Sequence, residues 1–320
     1  MTQLHKAIRE DLLSVFHLTP TSVTPVVGGY LNQKFRLDTR NGRYLLKQFS
    51  PERYPTAKLG RIEQALQRQK YLYENGISCP RVYDVDGRIL RHICRDNGDI
   101  TYVLMSFEEG DTASPQTVTP AQMTALGEMC ARMHNALSIL DPTSDPYYPL
   151  DSAAVVHRIR EHHTALKFIS DFHLPEPIDS IIASLDVPFF DVCAKQLCHE
   201  DFSADNLLFD GNSAIILDFD RGQYSYPLHD VGRALLSLAY DEPDMRMSFV
   251  NAFAAGYNRH RTLTKHDLAK ALRLTFALEF SWWIHPSAMS ASSPKVSRFV
   301  REMFFLIHNW NQIPDLLQGG

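Results

Sequence analysis

The stretch Leu197-Cys198-His199-Glu200-Asp201-Phe202-Ser203-Ala204-Asp205-Asn206-Leu207-Leu208-Phe209, followed by Ala214-Ile215-Ile216-Leu217-Asp218-Phe219-Asp220, decides how this 320-residue chain is read. A polar cluster is bracketed by apolar strand formers, and Asp210-Gly211-Asn212 supplies a turn between the flanking pieces, which predicts a hairpin. A hairpin would carry Asp201, Asn206 and Asp218 to adjacent loop ends. Carboxylate and amide oxygens gathered in one place suit a hard cation such as Mg²⁺. One further carboxylate aimed at a hydroxyl can take its proton. Singly, each residue has a duller explanation: Asp201 or Asp205 could cap a turn, and Asp218 could end a strand. The joint spacing carries the argument.

Working outward, the chain before this stretch reads as strands with two helices. Leu4, Ile8, Leu12 and Val15 recur at helical spacing over 3–17. Asn32 to Arg40 and Arg43 to Phe49 flank Asn41-Gly42, a hairpin signal in which both turn residues take positive φ. Leu59, Ile62, Leu66 and Tyr73 mark a helix over 56–74 that Asn75-Gly76 stops. Asp86-Gly87 is a further turn, and 101–107 is an apolar strand. After residue 110 the pattern becomes helical. Thr119-Pro120 opens a helix over 119–138. Helices resume at 229–240, 246–258, 265–283 and 296–308. A β-rich first third and a helical remainder predict an α+β, two-lobed molecule with a cleft between a lobe over 1–105 and a lobe over 106–320.

Composition narrows the function class. Five scattered cysteines without a C-x-x-C pair fit reduced thiols and a cytosolic setting better than a disulfide framework or a zinc site. No apolar run is long enough to span a membrane, and no secretory signal opens the chain. A net charge of −5 argues against nucleic acid as the main partner. The charge is unevenly spread. Residues 1–105 hold 16 Lys and Arg against 10 Asp and Glu, and residues 106–320 hold 16 against 27. The halves could face ligands of opposite sign, or could simply be solvated surface.

His-x-Asp, Asn five residues after that Asp, and Asp twelve after the Asn closely resemble the aminoglycoside phosphotransferase and choline kinase superfamily, which has relatives among homoserine kinases and kinase-like spore-coat proteins. The same logic underlies the protein-kinase motifs H-R-D-x-x-x-x-N and D-F-G. The resemblance spans roughly residues 20 to 285. It implies a protein-kinase-like fold with a small β-rich N-lobe and a larger helical C-lobe, and ATP and Mg²⁺ as cofactors. The implied activity is transfer of the γ-phosphoryl group to a small-molecule alcohol. Asp201 would be the catalytic base and His199 would brace its loop. Asn206 and Asp218 would hold Mg²⁺, with Asp220 a further candidate, and Asp230 would brace the loop from a helix start. Lys47 would touch the α- and β-phosphates, with Glu63 as its ion-pair partner, although Glu74 on the same helix competes. Gly28, Gly29 and Asn32 resemble the nucleotide loop. Residues 103–108, with Met105 and Phe107, resemble the linker that meets adenine. No Walker A motif is present. The missing D-F-G glycine in Asp218-Phe219-Asp220 disfavours a protein kinase. The rival is a catalytically weak or inactive kinase-like binding or structural protein, against which stand Lys47, Asp201, Asn206 and Asp218 together.

The other conspicuous residues read as ordinary. His134 is a packing histidine, and His157, His162 and His163 are exposed helix residues. Trp282 and Trp283 pack the late helix, or with Glu279 offer a face to a cation. A cationic, amine-bearing acceptor is the expectation, with Asp241, Glu242, Asp244 and Glu279 as candidate contacts.

Overall fold

The computed structural model describes residues 4–26, 32–52, 54–96 and 98–317. The chain divides into two compact units. The first is Met1–Gly110 joined by Ile215–Arg221, and the second is Asp111–Ala214 with Gly222–Gly320. The division thus falls five residues beyond 105, and a short segment from the middle of the chain belongs to the first unit.

The first unit contains α1 (Lys6–Phe16), β1 (Ser22–Pro25), β2 (Gln33–Thr39), β3 (Gly42–Phe49), α2 (Thr56–Glu74), β4 (Val82–Tyr83), β5 (Arg91–Ile93) and β6 (Ile100–Ser106). Its antiparallel sheet runs β1-β2-β3-β6-β4, with β5 also paired to β6. Strand alternation sorts the residues between the two faces. Phe35, Leu37, Leu46, Tyr102 and Leu104 bury against Ile8 and Leu12 of α1. Phe49, Val103 and Met105 bury against Ile62 and Leu66 of α2. Lys47 shares the second face and is 3% exposed. The first helix is pinned through Asp11, which accepts both arms of Arg91 at 2.8 and 3.0 Å and the Tyr102 hydroxyl at 2.6 Å.

The β2–β3 hairpin forms, but its turn sits one residue earlier than Asn41-Gly42 implies. Thr39 pairs with Gly42, and only Gly42 has positive φ, at 139°. The Thr39 hydroxyl accepts the Asn41 N–H at 3.1 Å and donates to the Gly42 carbonyl at 3.0 Å, so a side chain does the turn's hydrogen bonding. Asp86-Gly87 behaves as expected, with φ of 52° and 77° between bridged Val85 and Arg88.

The second unit contains β7 (Asp111–Thr112), α3 (Pro120–Ser138), α4 (Ser152–Lys167), α5 (Ile178–Ser184), α6 (Val187–Asp191), β8 (Gln196–Cys198), β9 (Leu207–Asp210), the first half of β10 (Ser213–Ile216), β11 (Gln223–Ser225), α7 (Pro227–Leu238), β12 (Tyr240–Asp241), β13 (Asp244–Met245), α8 (Met247–Tyr257), α9 (Lys265–Trp283), α10 (Pro286–Met289), α11 (Pro294–Asn309) and α12 (Ile313–Leu316). Thr119 caps α3 in a reciprocal capping box with Gln122. Two helix pairs approach closely enough to exclude a β-carbon. A Cβ on Gly127 of α3 would lie 2.0 Å from the Phe253 carbonyl oxygen, and one on Gly256 of α8 would lie 1.9 Å from that of Thr124. A Cβ on Gly232 of α7 would lie 2.3 Å from the Ala271 carbonyl oxygen and the Thr275 hydroxyl of α9. His163 is buried rather than exposed, because that side of α4 faces Phe280. His162 meets the Ile284 carbonyl at 2.9 Å. No helix among the described residues is long and apolar enough to cross a membrane.

Candidate active site

In the second unit, β8 delivers the chain into the loop His199–Ser203, and a single 3₁₀ turn over Ala204–Asn206 returns it to β9. Glu200 takes φ of 67°, a left-handed conformation that a non-glycine residue adopts only when its surroundings hold it there. The surroundings are visible. Asp230, fully buried in the first turn of α7, accepts the backbone N–H of His199 at 2.9 Å through Oδ2 and that of Glu200 at 2.8 Å through Oδ1. His134 also meets Asp230 Oδ2, at 3.1 Å, and its other ring nitrogen meets the Tyr257 hydroxyl at 2.9 Å. Burial opposes ionisation of Asp230, yet His134 and its other histidine neighbours hold its pKa below the ordinary carboxylate value. His134 is therefore more than packing.

The rest of the loop is cross-braced. His199 Nδ1 accepts the Asp201 N–H at 3.2 Å. The Asn206 amide donates to the Asp201 carbonyl at 2.8 Å, and the Ser203 N–H reaches the same carbonyl at 2.9 Å. These bonds consume backbone atoms of Asp201 and leave its side chain to be aimed by them. The Asn206 brace uses its amide nitrogen and not its side-chain oxygen.

Next to this loop lies a chain of buried charge. His229 spans Glu200, at 3.2 Å, and Glu279, at 3.3 Å. Glu279 also accepts Arg233 at 2.7 Å and the Trp283 indole N–H at 3.2 Å, and Arg233 continues to buried Glu302. Burial disfavours a charged imidazole, but the two glutamates outweigh it and raise the His229 pKa to about 10. Burial likewise opposes ionisation of Glu279, and Arg233 and His229 bring its pKa down to about 2. Glu200, His229 and Asp230 place donor atoms within 4.8 Å of one another, but each is already engaged with protein partners.

In the first unit, Asp218 follows β10 with φ of 59°. Lys47 of β3 donates to Asp218 Oδ1 at 2.8 Å and to Asp220 Oδ2 at 2.5 Å, and Lys34 of β2 donates to Asp218 Oδ2 at 3.1 Å. Burial alone would raise the Asp218 pKa, but Lys47 and Lys34 hold it well below the ordinary value. Asp220 moves the other way, raised by burial and by the adjacent Asp218 charge.

The expected Lys47–Glu63 pair is a correction. Glu63 is part-buried on α2, and among the described residues it makes no ion pair with Lys47. Physically, the Lys47 ammonium is already claimed by two nearer carboxylates. Glu74 is exposed at the end of α2. Asn32 is part-buried, and its side-chain oxygen has no hydrogen-bond partner among the described residues. Met105 is buried on β6 beside Gln69, and Phe107 follows that strand with the Arg36 guanidinium 5.2 Å over its ring. Gly28 and Gly29 lie outside the described residues. Glu279 is a second correction: its carboxylate is saturated by His229, Arg233 and Trp283, so it is not an open contact for a cation. Trp283 stacks on Phe299 at 4.2 Å, while Trp282 is 64% exposed.

A family model described as "Phosphotransferase enzyme family" matches residues 22–269. The chain belongs to this family. Over 114 residues it is 34% identical to a homoserine kinase of Hyphomonas neptunium, a match covering 35% of this chain and 32% of that protein. Among solved structures it resembles aminoglycoside 2′-phosphotransferase-IIIa in its GDP complex, with a TM-score of 0.65, 15% identity, and coverage of 97% of this chain and 100% of the other. It also resembles an amicoumacin kinase in complex with AMP-PNP and Ca²⁺, with a TM-score of 0.63, 16% identity, and coverage of 97% and 95%. At such identities these structures establish that the phosphotransferase has the kinase-like fold.

The donors suit the cofactor of such a fold. Asp218 and Asp220 are hard oxygen ligands on one short segment, which is donor chemistry for Mg²⁺. Lys47 is an ammonium donor beside them, which is the chemistry that phosphate oxygens seek.

Proposed function

We propose that this phosphotransferase moves the γ-phosphoryl group of ATP to a hydroxyl of a small, amine-bearing alcohol. The observation that carries the reading is the catalytic loop itself. A backbone held left-handed at Glu200 and braced by Asp230 presents Asp201 on the loop that also carries Asn206.

In this reading Asp201 accepts the proton of the attacking hydroxyl and aims the oxygen at phosphorus. His199 fixes the Asp201 amide from below. Lys47 binds phosphate oxygens when its carboxylate partners turn to a cation. Asp218, Asp220 and the Asn206 oxygen would hold Mg²⁺, a role assigned from the motif spacing. Bound Mg²⁺ neutralises phosphate charge and ATP supplies the phosphoryl group, so positioning and electrostatics are what the protein adds. Asn32, Met105 and Phe107 are assigned to nucleotide contacts on the strength of the family pattern.

The amine-bearing acceptor is supported by the charge imbalance of residues 106–320 and by the relatives' names, which include homoserine, aminopropanol and choline kinases. Of the carboxylates considered, Asp241, Glu242 and Asp244 are exposed, with Glu242 paired to Arg301 at 3.0 Å. The test is ADP release from Mg-ATP against a matched panel of amino alcohols, amino sugars, hydroxy amino acids and neutral alcohols at low and high salt. The reading expects turnover on an amine-bearing alcohol that Asp201→Asn abolishes. Turnover confined to neutral or anionic acceptors would sink the acceptor class. Turnover that survives Asp201→Asn would sink the base assignment.

A further inference from the structure

The nucleotide site as read above has one lysine, Lys47, and the pairing of β2 with β3 adds another. Lys34 and Lys47 are direct register partners in the antiparallel ladder. Residues directly opposite on such a pair point to the same face with β-carbons about 5 Å apart, and like charges there destabilise the sheet. Lys34 and Lys47 coexist because Asp218 sits between them, one carboxylate oxygen to each ammonium, at 3.1 and 2.8 Å. The Lys34 side chain keeps 19% exposure and that of Lys47 keeps 4%. The inner lysine is therefore shared by two carboxylates, and the outer one meets Asp218 and is the more exposed of the two.

The charges explain what a second lysine achieves. Lys34, Lys47, Asp218 and Asp220 sum to zero. A divalent cation entering alone would leave two uncompensated positive charges in a part-buried site and would have to displace both ammonium groups from Asp218. A divalent cation entering with a polyphosphate meets no such penalty, because the phosphates take up the displaced ammoniums. Without Lys34 the cluster would carry one negative charge and would attract the bare ion.

We infer that Lys34 is a second phosphate-binding lysine, which makes metal binding at Asp218 depend on nucleotide. The inference rests on the proposed nucleotide site and deepens it. Its signature is a pair of opposite effects. Lys34→Met should bind free Mn²⁺ more tightly than the wild type, because a competing cation is gone from Asp218. The same variant should bind AMP-PNP in Mg²⁺ about ten- to a hundredfold more weakly, the range for a lost charge-assisted hydrogen bond. Lys34→Arg should keep nucleotide affinity near the wild-type value.

The experiment is calorimetric titration of AMP-PNP with Mg²⁺, and Mn²⁺ titration by electron paramagnetic resonance without nucleotide, on wild type, Lys34→Met and Lys34→Arg. Opposite shifts in Lys34→Met with retention in Lys34→Arg support the inference. Equal AMP-PNP affinity in wild type and Lys34→Met overturns it while leaving the nucleotide site intact. A parallel fall in both affinities also overturns it, because Lys34 would then only prop up Asp218. A Lys34→Met chain that fails to fold, alongside a folded Lys34→Arg that binds AMP-PNP at least tenfold more weakly than wild type, overturns it as well. A wild type that binds no AMP-PNP overturns both the inference and the functional reading beneath it.

Discussion

Asp230 holds Glu200 in a left-handed conformation by accepting its backbone N–H at 2.8 Å, while the same carboxylate takes the neighbouring amide of His199. The side chain of one helix start thereby dictates the backbone of a loop thirty residues earlier. Replacing Asp230 with Ala leaves two buried amide donors and His134 without their acceptor. A loss of about 2–5 kcal/mol of stability is expected, measured by urea denaturation, together with a large fall in turnover. An Asp230→Ala enzyme as stable as wild type would mean that the loop holds itself.

Asp201→Asn should fold and bind nucleotide normally while turnover falls about 10²–10⁴-fold, the usual size of a general-base contribution. The backbone bonds that fix this residue use its N–H and carbonyl and survive the change. Single-turnover kinetics and a nucleotide titration on the same preparation separate chemistry from binding.

Lys47→Met should lower AMP-PNP affinity substantially, whereas Glu63→Ala should change stability by no more than about 0.5 kcal/mol, as expected of a residue that has no ion-pair partner among the described residues. Since the two side chains form no pair, their effects on binding should add within experimental error. A clear non-additivity in the double mutant would show that Glu63 reaches Lys47 when nucleotide is bound.

His229 gives a pH dependence with a defined sign. Its pKa is raised to about 10 in the folded protein, above the ordinary value of about 6.5 for an unfolded histidine. A group raised on folding contributes fully below its unfolded pKa and loses that contribution as pH rises towards the folded value. The stability difference between wild type and His229→Gln should therefore be largest near pH 6 and shrink towards pH 10, with proton uptake on folding in between. A difference that grows with pH would contradict a charged His229.

Gly232→Ala places a methyl group against the Ala271 carbonyl and the Thr275 hydroxyl. Overpacking of this kind costs about 1–3 kcal/mol. Differential scanning calorimetry should report a lower Tm with nucleotide affinity unchanged, because α7 and α9 are forced apart without touching Lys47 or Asp218.

What could be read from the sequence was what depends on short-range spacing. The loop that carries Asp201, the hairpins and the capped helices each advertise themselves within about twenty residues. What could not be read depends on partners brought together by the fold. Lys34 is one polar residue among alternating strand positions, and only the register with Lys47 gives it meaning. Glu279 looked available because its neighbour at i+4, Trp283, was visible, while His229 and Arg233 come from another helix. His163 looked exposed because nothing near it announced Phe280. The Glu63 expectation came from a resemblance, and the nearer carboxylates at 218 and 220 displaced it.

The segment Ile215–Arg221, which belongs with the β-rich unit although it is encoded more than a hundred residues after that unit's last strand, limits how the gene can be cut. A fragment ending at Gly110 would contain the whole sheet and both lysines yet lack Asp218 and Asp220. Lys47 would then keep a positive charge on the α2-packed face of the sheet with neither carboxylate to neutralise it, a situation that costs several kcal/mol. Such a fragment should express as aggregated or poorly folded material, and a linker carrying residues 215–221 back to its end should rescue it. Domain exchange between relatives of this protein would succeed only where the breakpoints move this seven-residue piece together with the strands it serves.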